Sequence, residues 1–228
     1  MNDLTLSAKG QELIELYKHM AAHGYERSDG SKIINAYSDF ELKKFRNICK
    51  GEFLKHNIET VLDYGGGGSD WNEADFDPVS GKSARDYFGV RKVTTFEPAR
   101  NLMKKKISDS VVCFDVLEHI FVSDVPNVIE ELFSLTKKLL IINVACYKAS
   151  ALLPNGENAH ITVRSADWWK GVVDAIATRF EGVKVMLICS ETYASGLVFE
   201  TFSSSDWLLS DSFVAETNPL IFKLQAHS

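Results

Sequence analysis

The stretch Val61-Leu62-Asp63-Tyr64-Gly65-Gly66-Gly67-Gly68-Ser69 sets an acid and a run of glycines at the end of an apolar segment. Glycine turns sharply with positive φ and lets a ligand approach main-chain atoms, and in doubly wound folds that crevice opens at the carboxyl end of the first strand. The chemistry implied is the binding of a nucleoside cofactor; a flexible glycine linker is disfavoured because the segment from Ile58 to Leu62 reads as a buried strand. A triphosphate loop needs Lys and Ser or Thr after its second glycine, and Gly68-Ser69-Asp70-Trp71 has no such lysine and puts Asp70 where phosphate would lie. The dinucleotide fingerprint fails at its third glycine, because Asp70 stands there. What remains suits a ligand with an ammonium and a sulfonium charge.

Further residues could do chemistry beside it. Glu97 follows Thr94-Thr95-Phe96, an acid at the end of a predicted strand. Asp115, Glu118 and His119 follow Val111-Val112-Cys113-Phe114, either as polar residues that hold a turn or as working groups. His160, in the polar loop Asn155 to Arg164, has a side chain that titrates near neutrality and could serve as a base, or it is a surface histidine in a turn. Arg164 could clamp an anionic acceptor or solvate the start of a helix. The Lys104-Lys105-Lys106 run reads as a solvated surface before it reads as a phosphate contact.

The elements that must position these residues alternate in type. Strands are expected near 59–64, 91–97, 110–115 and 138–145, with a helix near 124–137, which gives a parallel sheet covered on both faces. Apolar residues at helical spacing predict helices over 7–23 and 36–56, separated by the break Gly24 to Gly30. Ser165 is placed to cap a helix from Ala166 to about Arg179, with at least one of Trp168 and Trp169 in the core. Strands near 183–190 and 196–202 have too short a link for a parallel crossover and must form an antiparallel hairpin. An edge strand at Leu220 to Leu224 is a further expectation, and residues 70–90 read as an insertion. The fold class is thus α/β: a doubly wound, Rossmann-like, mostly parallel sheet with an antiparallel C-terminal hairpin and an N-terminal helical cap. It forms one domain, with the cap over 1–57 and the core over 58–228.

The 228 residues suffice for a single core, and 45% apolar with 25% charged residues is ordinary for a globular chain. Net charge −6 argues against a chain-wide nucleic-acid surface. Scattered Cys49, Cys113, Cys146 and Cys189, without a C-x-x-C pair, predict reduced thiols and a cytoplasmic location. No apolar run approaches the roughly 20 residues that span a bilayer, and the first residues lack a signal-peptide pattern.

Three of these segments, within residues 59–145, resemble class I S-adenosylmethionine-dependent methyltransferases. Asp63, Gly65 and Gly67 match the first motif, with Ser69 at its third glycine; Glu97-Pro98 is similar to the second, ribose-binding motif; Asp115-Val116-Leu117-Glu118-His119 resembles the strand-four motif of many small-molecule enzymes. The resemblance implies S-adenosylmethionine as cofactor, held by Asp63, Gly65, Gly66, Gly67, Glu97, Pro98, Asp115 and Val116. It implies methyl transfer to an oxygen or nitrogen of a small-molecule or sugar acceptor, with His160 and His119 as catalytic candidates. Some methyltransferases with a related motif bind a divalent metal; here Asp115, Glu118, His119 and His160 would be its ligands, although no metal is expected. A non-catalytic cofactor-binding or partner subunit is the alternative, and a nicotinamide oxidoreductase a weaker one.

Overall fold

A computed structural model describes residues 4–34, 41–201 and 207–214. The chain order is α1 (Ala8–His23), β1 (Tyr25–Arg27), β2 (Lys32–Ile33), α2 (Arg46–Lys55), β3 (Thr60–Tyr64), α3 (Ala84–Phe88), β4 (Lys92–Phe96) and β5 (Ser108–Phe114). It continues with α4 (Val125–Leu135), β6 (Thr136–Ala145), β7 (Ala151–Leu152), α5 (Ala166–Ala177), β8 (Lys184–Ser190), β9 (Ser195–Thr201) and β10 (Trp207–Val214).

The main sheet has the order β10-β9-β8-β6-β5-β3-β4. Strands β4, β3, β5, β6 and β8 run parallel, and β9 and β10 are antiparallel additions at one edge. This is the Rossmann-like arrangement that the alternation of apolar runs predicts. From β3 the chain first adds β4 on one side and then β5 on the other, so the order reverses at the β3/β5 boundary. Crossover connections leave each side of that boundary in opposite directions and open a crevice at the strands' carboxyl ends.

Both faces of the sheet are buried. Leu62, Val111, Leu140, Ile142 and Leu187 pack beneath α4 and α5, whereas Val61, Val112, Ile141, Met186 and Ile188 face Phe45, Phe53 and Phe88. Each such aliphatic side chain removed from water contributes about 1.5–3 kcal/mol. The segment 70–90 supplies α3 together with Trp71 and Phe76, and its aromatic rings cover α2 and the second face. Ser165 caps α5 by accepting from Trp168 N, and Trp169 is fully buried.

Several elements differ from expectation. The helix expected over 36–56 is described from Glu41 on, as a 3-10 turn Glu41–Phe45 followed by α2; residues 35–40 lie outside the described residues. Gly24 to Gly30, read as a break, folds into β1 and the turn towards β2, and β1 also pairs with β7 in a small three-stranded sheet. Strands of two or three residues carry too little periodicity to be read from sequence. The edge strand expected at Leu220 to Leu224 falls outside the described residues, and the described edge is β10. No described helix is long and apolar enough to cross a membrane.

Candidate functional site

The glycine run begins where β3 ends. Gly65 N donates to Phe96 O across 2.7 Å and ties the turn to the end of β4. Gly65 and Gly67 take φ of 74° and 56°, values that a side chain resists. A Cβ on Gly65 would overlap Val116, and one on Gly66 would lie 2.5 Å from Asp63 Oδ2. Asp63 is buried, and its Oδ2 accepts from Ser69 Oγ at 2.6 Å and from Trp71 Nε1 at 2.8 Å. Burial raises its pKa above the usual carboxylate value, against the pull of these two donors. Ser69 therefore folds the loop back onto Asp63, a task that a glycine at that position could not perform.

Glu97 braces the same loop from the other side. Its Oε2 accepts from Gly67 N and its Oε1 from Ala99 N, both at 2.9 Å. Each carboxylate oxygen retains a further lone pair for a ligand hydroxyl.

The third segment leaves β5 through Asp115, whose φ of 56° is left-handed without being glycine. Such a conformation costs energy and persists where the surroundings enforce it. It turns the chain into the 3-10 turn Leu117–His119. His119 Nδ1 meets Ala159 O at 2.8 Å, and His160 Nδ1 meets Tyr147 O. A carbonyl only accepts, so in both rings Nδ1 carries the proton and Nε2 of a neutral ring presents a lone pair. Those Nε2 atoms lie 4.0 Å from Asp115 Oδ2 (His119) and 4.0 Å from Asp115 Oδ1 (His160). Asn158 fixes the loop that carries His160, accepting from His160 N and Ala149 N while donating to Ala149 O.

Asp115, His119 and His160 each offer one ligand atom within 4.8 Å of the others. Two imidazoles with a carboxylate on one side fit a divalent transition ion, and the backbone carbonyls behind both Nδ1 atoms are the usual outer supports of metal-binding histidines. Burial and the neighbouring His119 lower the His160 pKa to about 4, which keeps its ring neutral at physiological pH. Desolvation raises the Asp115 pKa, but the neighbouring His119 side chain, foremost, outweighs it and holds the carboxyl below its ordinary range. Glu118, the remaining member of the expected ligand set, is not brought to the group. Its side chain is fully buried, Oε1 accepts from Ala145 N, and burial with Asp115 nearby pushes its pKa well up.

Two cavities meet here. One of about 240 Å³ is lined by Gly65, Gly67, Glu97, Pro98, Asp115 and Val116, and is closed over by Leu4, Leu6 and Ile14. The other, of about 410 Å³, reaches Asp63, Gly66, Asp115, His119 and His160. Gly65, Gly67, Asp115, His119 and Tyr17 border both. Every residue expected to hold the cofactor lines one cavity or the other.

Three residues at this site escaped the reading of the sequence. Tyr17, whose hydroxyl donates to Ala159 O at 2.7 Å, has the helical spacing of a core residue. Arg27 and Tyr147 line the larger cavity from short or irregular segments that carry no motif. Conversely, Arg164 bonds Val163 O and lies over the Trp168 ring, outside both cavities. Lys105 borders the smaller cavity, but its ammonium is held by both Glu131 oxygens at 2.7 and 2.8 Å. Comparison with protein-family models, with curated proteins and with solved structures gives no match to this chain.

Proposed function

We propose that this chain is an S-adenosylmethionine-dependent methyltransferase acting on an oxygen or nitrogen of a small-molecule or sugar acceptor. One observation carries the reading: three separate sequence segments, ending in Asp63, Glu97 and Asp115, converge at the switch point of the sheet around two joined cavities. The cofactor occupies the smaller cavity, with its ribose hydroxyls at Glu97, and reaches the edge of the larger one where Asp63 and Gly66 lie. The acceptor occupies the larger one, so that the methyl group passes between them near Gly65 and Asp115.

Methyl transfer is an in-line displacement. The acceptor's lone pair forms the bond to carbon as the carbon–sulfur bond breaks and sulfur keeps its electrons, and a proton carried by the acceptor atom leaves to solvent. The protein's work is to align the two partners and exclude water. An imidazole with a pKa near 4 is a feeble base, so His160 contributes better as a neutral donor to a cation than as the proton acceptor expected from sequence. Asp115, His119 and His160 would hold a divalent ion, which when bound lowers the pKa of an acceptor hydroxyl.

Calorimetry tests the cofactor. S-adenosylhomocysteine should bind, while NAD and ATP should not. Glu97→Ala should weaken that binding about ten- to a hundredfold, the equivalent of roughly 1–3 kcal/mol for hydrogen bonds lost. Unchanged affinity would remove Glu97 from the site, and absence of S-adenosylhomocysteine binding by the unaltered protein would overturn the reading.

A further inference from the structure

Among the described residues, Arg27 lines the larger cavity as a cation with no counter-ion. Arg27 is the last residue of β1, held by pairing with β7 at Ala151 and by its own N–H to Ser31 O at 2.8 Å. Its Nε is shielded from solvent and has no hydrogen-bond partner. The terminal nitrogens form no hydrogen bond among the described residues, and a planar oxyanion in the cavity can accept from both of them together.

The other charged groups around this cavity are already engaged. Lys44 pairs with Glu41 at 2.6 Å and lies 3.5 Å over the Tyr193 ring. Asp63 is occupied by Ser69 and Trp71, and Asp115 lies between the two histidines. Asp29 feels the charge of Arg27, but its Oδ1 accepts from Ser31 N and Oγ and forms no ion pair with Arg27. The aromatic side chains of Tyr17, Tyr25, Tyr147 and Tyr193 also border the space, so its walls suit a flat ring.

Building on the acceptor cavity proposed above, we propose that Arg27 anchors an oxyanion of the acceptor, which is therefore a carboxylic acid or phosphoester carried on a planar, ring-bearing body. The anion meets Arg27, and the group to be methylated is left to face Asp115 and the histidines.

The test uses benzoate, phenyl phosphate and neutral benzamide as probes of one shape. Their binding to the full-length protein is followed by NMR titration, with S-adenosylhomocysteine affinity measured separately. Benzoate or phenyl phosphate should bind at least about tenfold tighter than benzamide, the equivalent of one charge-assisted hydrogen bond. The stronger of the two anions identifies the acid. Arg27→Gln should abolish the preference and Arg27→Lys should retain part of it, with thermal unfolding and S-adenosylhomocysteine affinity unchanged in both. Equal binding of benzamide, no binding of either anion, or a preference that survives in Arg27→Gln would overturn the proposal. None of these readouts requires methyl transfer, so failure here is distinct from failure of the cofactor assignment.

Discussion

His119 and His160 owe their tautomer to backbone carbonyls from a single polar loop and its approach, Tyr147 O and Ala159 O, and so are set before any ligand arrives. Preset donors predict a measurable affinity for a metal alone. Equilibrium dialysis with Mn²⁺ or Co²⁺ should show one ion per chain, and Asp115→Ala, His119→Ala and His160→Ala should each lower the affinity by about tenfold or more. Glu118→Gln should lower it less than any of these three, because that carboxyl offers no ligand atom and reaches the group only through Asp115. Binding that is indifferent to the histidines would return them to a structural role. Much of this site was legible residue by residue: Asp63, Glu97 and Asp115 each stand at or just past the carboxyl end of a predicted strand, and an acid there marks itself. The joint placement of His119 and His160 was not, because 41 positions separate them and only the return of the loop across α1 brings them together.

At the level of elements, the start of the sheet is fixed by a side chain that drew no notice in the sequence. Asp109 Oδ2 accepts from the N–H groups of Glu59 and Thr60 at 3.1 Å each, while Thr60 Oγ1 accepts from Asp109 N at 2.8 Å. These bonds lock β3 to β5 at the end opposite the glycine run. Burial raises the Asp109 pKa, yet the two N–H donors outweigh it and hold the carboxyl below its ordinary value. A folded pKa below the unfolded one means that this stabilisation is present above about pH 4 and is lost as pH falls through the folded value. Urea unfolding of Asp109→Asn should show a loss of about 1–3 kcal/mol at neutral pH that shrinks in acid; a gap independent of pH would contradict the assignment. The regular strands and α4 and α5 were legible because their apolar runs are long and their turns marked. Strands β1, β2 and β7 were not, since each is only two or three residues long and β1 meets β7 across more than a hundred residues of chain.

In the whole molecule, the N-terminal segment is fastened across the sheet. Asp124, buried at the start of α4, makes no cap bond to its own helix; it accepts instead from Ser7 N at 3.0 Å and Ser7 Oγ at 2.7 Å. A Cβ on Gly10 would overlap this carboxylate, so the small residue permits the close seat of α1. Asp124→Ala should loosen that seat and weaken S-adenosylhomocysteine binding by about tenfold, worth one or two hydrogen bonds, with little change in the circular dichroism of the core. Unaltered affinity together with unaltered proteolysis of the first residues would show that the fastening is idle. The position of α1 carries one more consequence. Its Ile14 borders the smaller cavity, its Met20 the larger, and its Tyr17 both. A helix that walls two joined chambers gives them a shared residue in Tyr17. On the function proposed above the two sites are then expected to be linked: S-adenosylhomocysteine affinity should change when the larger cavity is filled, and an affinity indifferent to that occupant would show that α1 walls the two independently.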